Sequence, residues 1–168
     1  MRFRDGVAAH AILGSSVVSS ARSVYDYNVN VFISHAGKDQ AYAETVGREL
    51  TEAGLRVWEP DQVQAGENWA LEAGKALARA DAIVVLLSPE SVGSEWVRRE
   101  IEFAISSPRL KDRLIPVLVR PTREVPWILR ELPQWLEARD PVAAAREIAA
   151  LLTGGKTRMR ARVGEAAR

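Results

Sequence analysis

Ala82-Ile83-Val84-Val85-Leu86-Leu87 is an unbroken apolar run, rich in β-branched residues and closed by Ser88-Pro89. A run of that length without polar alternation reads as a strand covered on both faces, which places it inside a parallel sheet. Upstream, Asn28 to Ser34 begins by alternating and then fills in with Val31, Phe32 and Ile33, the pattern of a first, central strand. The polar turn Ser34 to Asp39 leads into a helix with Tyr42, Val46 and Leu50 on one stripe, stopping at Gly54 after about Ala53. Asp39 is placed to cap that helix by accepting from its free N–H groups. Leu55 to Trp58 is a short second strand. Glu59 to Asn68, with Pro60, Asp61 and Gly66 and no periodicity, is a loop longer than most strand-to-helix connections. A second helix from Asn68 or Trp69 to about Ala80 turns Trp69, Ala73, Ala76, Leu77 and Ala80 inward, with Asn68 as its cap.

Downstream of the central run, a helix opens at Ser94. Leu114 to Val119 is a fourth strand, and Pro116 argues that it stands near the sheet margin. Pro121 to Pro133 is irregular apart from one helical turn at Trp127 to Glu131. Gln134 to Ala138 is a short fifth strand, and Pro141 opens a last helix to Leu152. Strands and helices that alternate in this way give an α/β, flavodoxin-like, doubly wound fold: a five-stranded parallel sheet in the order 2-1-3-4-5 with helices on both faces. Ligands in such folds bind outside the carboxyl ends of the strands, where the order reverses between strands one and three. The Ser34 to Asp39 turn, the Glu59 to Asn68 loop and the Ser88 to Trp96 turn meet there.

The helix from Ser94 contains three acids of two kinds, because residues three and four apart are neighbours on a helix surface. Glu95 and Glu102 both have Arg98 and Arg99 at those offsets, an ordinary solvated charge face. Glu100 has Trp96, Val97, Phe103 and Ala104 instead, so its carboxylate shares a stripe with two aromatics and has no local basic partner. An acid on an apolar face is costly unless it borders a cleft, which marks Glu100 as a candidate functional carboxylate. The alternative is a glutamate at the core boundary that reaches water or a distant arginine.

With 168 residues, 47% of them apolar, and a net charge of +1, the chain suits one domain with its own core, and its charge gives no reason to expect nucleic acid. Absence of cysteine excludes disulfides and thiol catalysis, and two histidines argue against a His-rich metal site. No run approaches the roughly 20 apolar residues of a membrane span. Residues 1–22 have a faint secretory look from Arg2, Arg4, Val7 to Val18 and Ser19-Ser20-Ala21, but Asp5, His10 and Gly14-Ser15-Ser16 break it, so residues 1–27 are expected to be a poorly ordered leader, or the product of a start codon placed too early, rather than a cleaved signal. Residues 153–168 are expected to be a basic, disordered tail. Gly154-Gly155-Lys156-Thr157 is not a phosphate loop, since position 150 is Ala and a helix precedes it. A serine-hydrolase elbow and the acidic cluster of a receiver domain are absent.

Val31-Phe32-Ile33-Ser34-His35, Gly54-Leu55-Arg56-Val57-Trp58 with Ala65-Gly66-Glu67, Leu86-Leu87-Ser88-Pro89-Glu90-Ser91, and the Trp-x-x-x-Glu of Trp96 to Glu100 together resemble a Toll/interleukin receptor (TIR) domain over residues 28–152. Short prokaryotic TIR proteins with NAD+ hydrolase activity look most similar. The resemblance implies one of two kinds of work. The first is cleavage of the nicotinamide–ribose bond of NAD+, giving nicotinamide and ADP-ribose or a cyclic isomer, with NAD+ as substrate and no cofactor or metal. Glu100 would then be the catalytic residue, with Ser34, His35, Lys38, Gly66, Ser88 and Trp96 binding the substrate. His35 and Ala36 stand where some catalytic relatives are more basic, which leaves phosphate contacts to Lys38. The second is scaffolding by contact between TIR domains, including interference with host signalling. Either implies a cytoplasmic protein that self-associates, as a homo-oligomer or filament when active, in anti-phage defence or signalling, with neither nucleic acid nor membrane as partner.

Overall fold

The structure, a computed structural model, describes residues 28–58 and 68–165, with side chains through Gly154. The expected leader, the long loop over residues 59–67 and Gly66 within it lie outside the described residues. In chain order the elements are β1 (Asn30–Ser34), α1 (Gln40–Glu52), β2 (Arg56–Trp58), α2 (Trp69–Arg79), β3 (Ala82–Leu87), α3 (Pro89–Val92), α4 (Glu95–Ser106), β4 (Leu114–Leu118), α5 (Trp127–Arg130), β5 (Leu136–Glu137) and α6 (Pro141–Glu165). All strand pairings are parallel, in the order β2-β1-β3-β4-β5. The register sets Val31 beside Ala82 and Ser34 beside Val85, so the third strand runs two residues past the end of the first.

Alternation along the strands divides the core into two layers. Val31 and Ile33 of β1 and Val84 and Leu86 of β3 pack with Val46 and Leu50 of α1 and Ile148 of α6. Phe32, Ile83, Val85 and Leu87 face the other way, against Leu77 of α2 and Val97, Ile101 and Ala104 of α4. All six residues of β3 are buried, as the unbroken apolar run requires. Each such Val or Leu contributes about 1.5–3 kcal/mol by leaving water. Pro116 sits opposite Val85 in β4, one residue before β5 begins to pair at Val117, so its missing N–H interrupts no β4–β5 register pair.

Local chemistry sets the boundaries. Asn68 caps α2 by accepting from the N–H of Leu71, and Ser94 caps α4 by accepting from that of Val97. Gly54 ends α1 with φ of 88°, where a Cβ would be strained. Three expectations need correction. Asp39 holds the N-cap position of α1 but makes no cap bond, because Ser88 and Arg120 engage its carboxylate instead. The short helix α3 was not foreseen; Ser88 and Ser91 close it with a reciprocal capping box. The last helix does not end at Leu152 but runs to Glu165. Ala, Arg, Lys, Met and Glu are good helix formers, and the pair at Gly154-Gly155 is insufficient to stop them.

Candidate functional site

Glu100 lies on the buried side of α4 with Val97, Ile101 and Ala104. It is only 6% exposed, and no ion pair reaches it among the described residues. Ser34, the last residue of β1, donates through Oγ to Glu100 Oε2 at 2.5 Å. Strand parity explains the meeting, since Ser34 points to the same face as Phe32, toward α2 and α4. Burial pushes the Glu100 pKa up, against smaller downward pulls from the Ser34 hydroxyl and the nearby indole N–H of Trp96. That indole approaches the carboxylate without reaching hydrogen-bond geometry, so Trp96 Nε1 is buried and without a partner. A buried polar group in that condition is an exception among folded proteins.

Glu100 opens into a cleft of about 340 Å³ between α2 and α4, lined by Ala73, Gly74, Leu77, Trp96, Arg99 and Phe103. Small residues on α2 make the room, and the aromatics wall it. Trp69, at the start of α2, packs on Trp96 with ring centroids 5.1 Å apart and planes tilted by 46°. The Arg99 guanidinium pairs with Glu95 at 2.5 Å rather than with Glu100, and Arg98 approaches the same acid at 3.7 Å. Glu102 is exposed, so the two kinds of acid read from helix spacing are separated in space as well.

The other sequence-derived candidates do not gather around Glu100. His35 follows Ser34 by one residue and therefore faces the opposite layer, where it lines a small void with Ala43, Gly47 and Trp58 and hydrogen-bonds the carbonyl of Ala36 at 3.0 Å. Ser88 faces that layer too and donates to Asp39 Oδ2 at 2.5 Å. Lys38 is exposed and pairs with Glu90 at 3.1 Å. Ser88 and Lys38 belong to a second cluster that sequence reading missed. Arg120, just beyond β4, donates to the buried Asp39 at 2.8 Å and to Glu90 at 2.5 Å. Arg120 and Lys38 hold the Glu90 carboxyl well below its usual range, at about 2, and the two acids push the Arg120 pKa up. The cluster clamps the turn that carries Ser34 to α3 and to the end of β4. Trp58 and Trp135 pack on the core, whereas Trp127 is 75% exposed.

No helix among the described residues is long and apolar enough to cross a membrane, and no group of acids and histidines there could hold a metal ion. No curated protein matches the chain significantly in sequence. Solved structures do match in fold. The TIR domain of the Toll-related receptor TRR-2 from Hydra magnipapillata superposes with a TM-score of 0.55 at 22% identity, over 66% of this chain and 84% of that one. A metazoan TIR-STING receptor from C. gigas, solved in complex with 2',3'-cGAMP, gives 0.57 at 24% identity over 71% of this chain, which spans only 39% of that receptor. The sequence profile of the TIR domain matches residues 31–152, well over half of the chain, with the Ser34–Glu100 cleft inside the matched region. By that match, this protein belongs to the TIR domain family.

Proposed function

We propose that this TIR domain cleaves NAD+ at the nicotinamide–ribose bond. One observation carries the reading: a buried carboxylate without a counter-ion among the described residues, held by one serine hydroxyl at the head of an apolar, aromatic-walled cleft. Such a group is poorly stabilised alone and well suited to a cation. The positive charge of NAD+ resides on its pyridinium ring and, as the bond breaks, on the ribose.

Most glycosidases need a second acid to protonate a poor leaving group. Nicotinamide leaves with the electron pair of the C–N bond, which neutralises its ring, so a single carboxylate suffices. Ser34 fixes Oε2, and Oε1 is left to face the ribose hydroxyls and the charge developing at the anomeric carbon. In a site walled by Trp96, Leu77 and Ala73, that attraction is screened far less than in water. Attack by water yields ADP-ribose and releases one proton; attack by an adenine nitrogen yields a cyclic isomer. Self-association would switch the activity on, with a neighbouring copy completing the pocket, in cytoplasmic anti-phage defence or signalling.

The test is chromatographic detection of nicotinamide after incubation of concentrated, crowded protein with NAD+, beside Glu100→Ala and Glu102→Ala. Loss in the first variant alone supports the reading. Equal loss in both, or no nicotinamide in any form, opposes it. A non-catalytic adaptor is the second reading, favoured by Trp127, a large aromatic that the fold leaves exposed.

A further inference from the structure

Five polar or charged residues are buried among the described residues: Ser34, Asp39, Ser88, Ser91 and Glu100. All five lie on one circuit. It starts at the Ser34–Glu100 bond, follows the turn after β1 to Asp39, and crosses to Ser88, which donates to Asp39 Oδ2 at 2.5 Å. The Ser88 hydroxyl also accepts from the N–H of Ser91 at 3.2 Å, so it both donates and accepts and its direction is set. From there the Ser91 carbonyl accepts from the N–H of Ser94, the Ser94 carbonyl accepts from that of Arg98, and α4 returns the path to Glu100. Arg120 fastens the same carboxylate from beyond β4, donating to Asp39 Oδ1 at 2.8 Å. The Leu87 carbonyl accepts from the N–H of Val119 at 3.0 Å and so holds the ends of β3 and β4 together. A buried polar network whose members have their partners stiffens its surroundings and specifies one geometry.

The consequence falls on Ser34. It is the last residue of β1, and beyond it the chain leaves the sheet for the short turn that ends at Asp39. Its backbone is therefore held from behind by pairing with Val85 and from ahead by the Asp39 carboxylate. We infer that Asp39 is a positioning residue for Glu100: its bonds to Ser88 and Arg120 fix the turn so that Ser34 Oγ stays on the Glu100 carboxylate. For catalysis the inference rests on the NAD+ cleavage proposed above. Positioning and direct electrostatics have opposite signs here. Removing the Asp39 charge would by itself favour ionisation of Glu100 and lower its pKa, whereas losing the Ser34 hydroxyl as a donor raises it. The charged groups beside Asp39 are Arg120 and, paired in turn with it, Glu90, which Lys38 also engages. Beside Glu100, α4 presents Arg99, which pairs with Glu95, and α2 presents Ala73, Gly74 and Leu77.

Titration of the Glu100 carboxyl by NMR, on the full chain with isotopically labelled glutamate, tests the inference without any turnover. Asp39→Asn keeps the shape but leaves one acceptor oxygen for two donors, and Ser88→Ala breaks the same link with no change of charge. The expected result in both is a rise of the Glu100 pKa by about half a unit or more, which disappears when Ser34 is already replaced by alanine. The acidic limb of the pH–rate profile should move with it. Arg109→Ala, which removes a bond to the Ala78 carbonyl in the last turn of α2, should leave the Glu100 pKa where it is. An unmoved or lowered pKa in folded Asp39→Asn and Ser88→Ala protein overturns the inference, and so does a rise of equal size in the Ser34→Ala background. Cleavage of NAD+ without this coupling overturns the inference alone; the coupling without cleavage overturns the proposed activity alone.

Discussion

Ser34 Oγ and Glu100 Oε2 lie 2.5 Å apart, joining the end of the first strand to a helix that begins after the third. The contact bridges the point where the strand order reverses, so the fold itself brings the hydroxyl to the carboxylate. Hydrogen bonds to a charged group contribute about 1.5–3 kcal/mol, and one pKa unit corresponds to about 1.4 kcal/mol. Ser34→Ala should therefore raise the Glu100 pKa further. In the pH–rate profile of NAD+ cleavage the acidic limb should move up by about one to two units, with the rate above that limb much less affected. An unmoved limb would mean that the hydroxyl does not tune the acid.

Glu100 also gives stability a sign that opposes activity. Folding raises its pKa above the ordinary 4.5, so within that window the native protein binds more protons than the unfolded chain. Stability from this group is complete below the ordinary value, falls as pH rises through the raised one, and is level beyond it. Urea denaturation across that range should show Glu100→Gln gaining on the native protein by up to about 1.4 kcal/mol for each pH unit inside the window. A gap that stays constant with pH would show that burial does not perturb the acid.

The cluster on the other face predicts a structural effect. Arg120→Ala leaves Asp39 buried with Ser88 as its remaining side-chain partner among the described residues, which should lower stability, moderately because solvent already screens Arg120. Glu90 is held down by Arg120 and Lys38, so its contribution is present above the ordinary glutamate value and is lost as pH falls toward about 2. Denaturant midpoints for native and Arg120→Ala protein at neutral and acid pH check both statements.

Trp69 packs on Trp96, which lines the cleft, and is open to substitution without damage to the core, since it is 43% exposed. Its contact with Trp96 contributes about 0.5–1.5 kcal/mol, so Trp69→Ala should lower stability by no more than that and, by loosening the Trp96 wall, raise KM for NAD+ severalfold. A KM equal to that of the native protein would place the substrate elsewhere.

Much of this was readable beforehand. Continuous burial of residues 82–87 and the parallel order followed from unbroken β-branched runs, and Glu100 stood out because helix spacing gave it aromatics where Glu95 has arginines. Strand parity could also have shown that His35 and Ser88 point away from Ser34, had the alternation been carried one residue past each strand. The Asp39–Arg120 bond joins residues 81 positions apart, and no local pattern announces it. Spacing assigns Trp69 to the buried stripe of α2, but its place at the first residue of the helix, where the stripe runs out of neighbours, leaves it 43% exposed and packed on Trp96.

Nicotinamide release by Glu100→Gln tests the central claim most directly, because that change removes the charge and preserves the shape. At a pH above the acidic limb, the variant should fold as well as the native protein by thermal melting and cleave NAD+ at least about a thousandfold more slowly, the scale of losing about 4 kcal/mol of transition-state stabilisation. A folded Glu100→Gln protein that releases nicotinamide at close to the native rate would contradict the account.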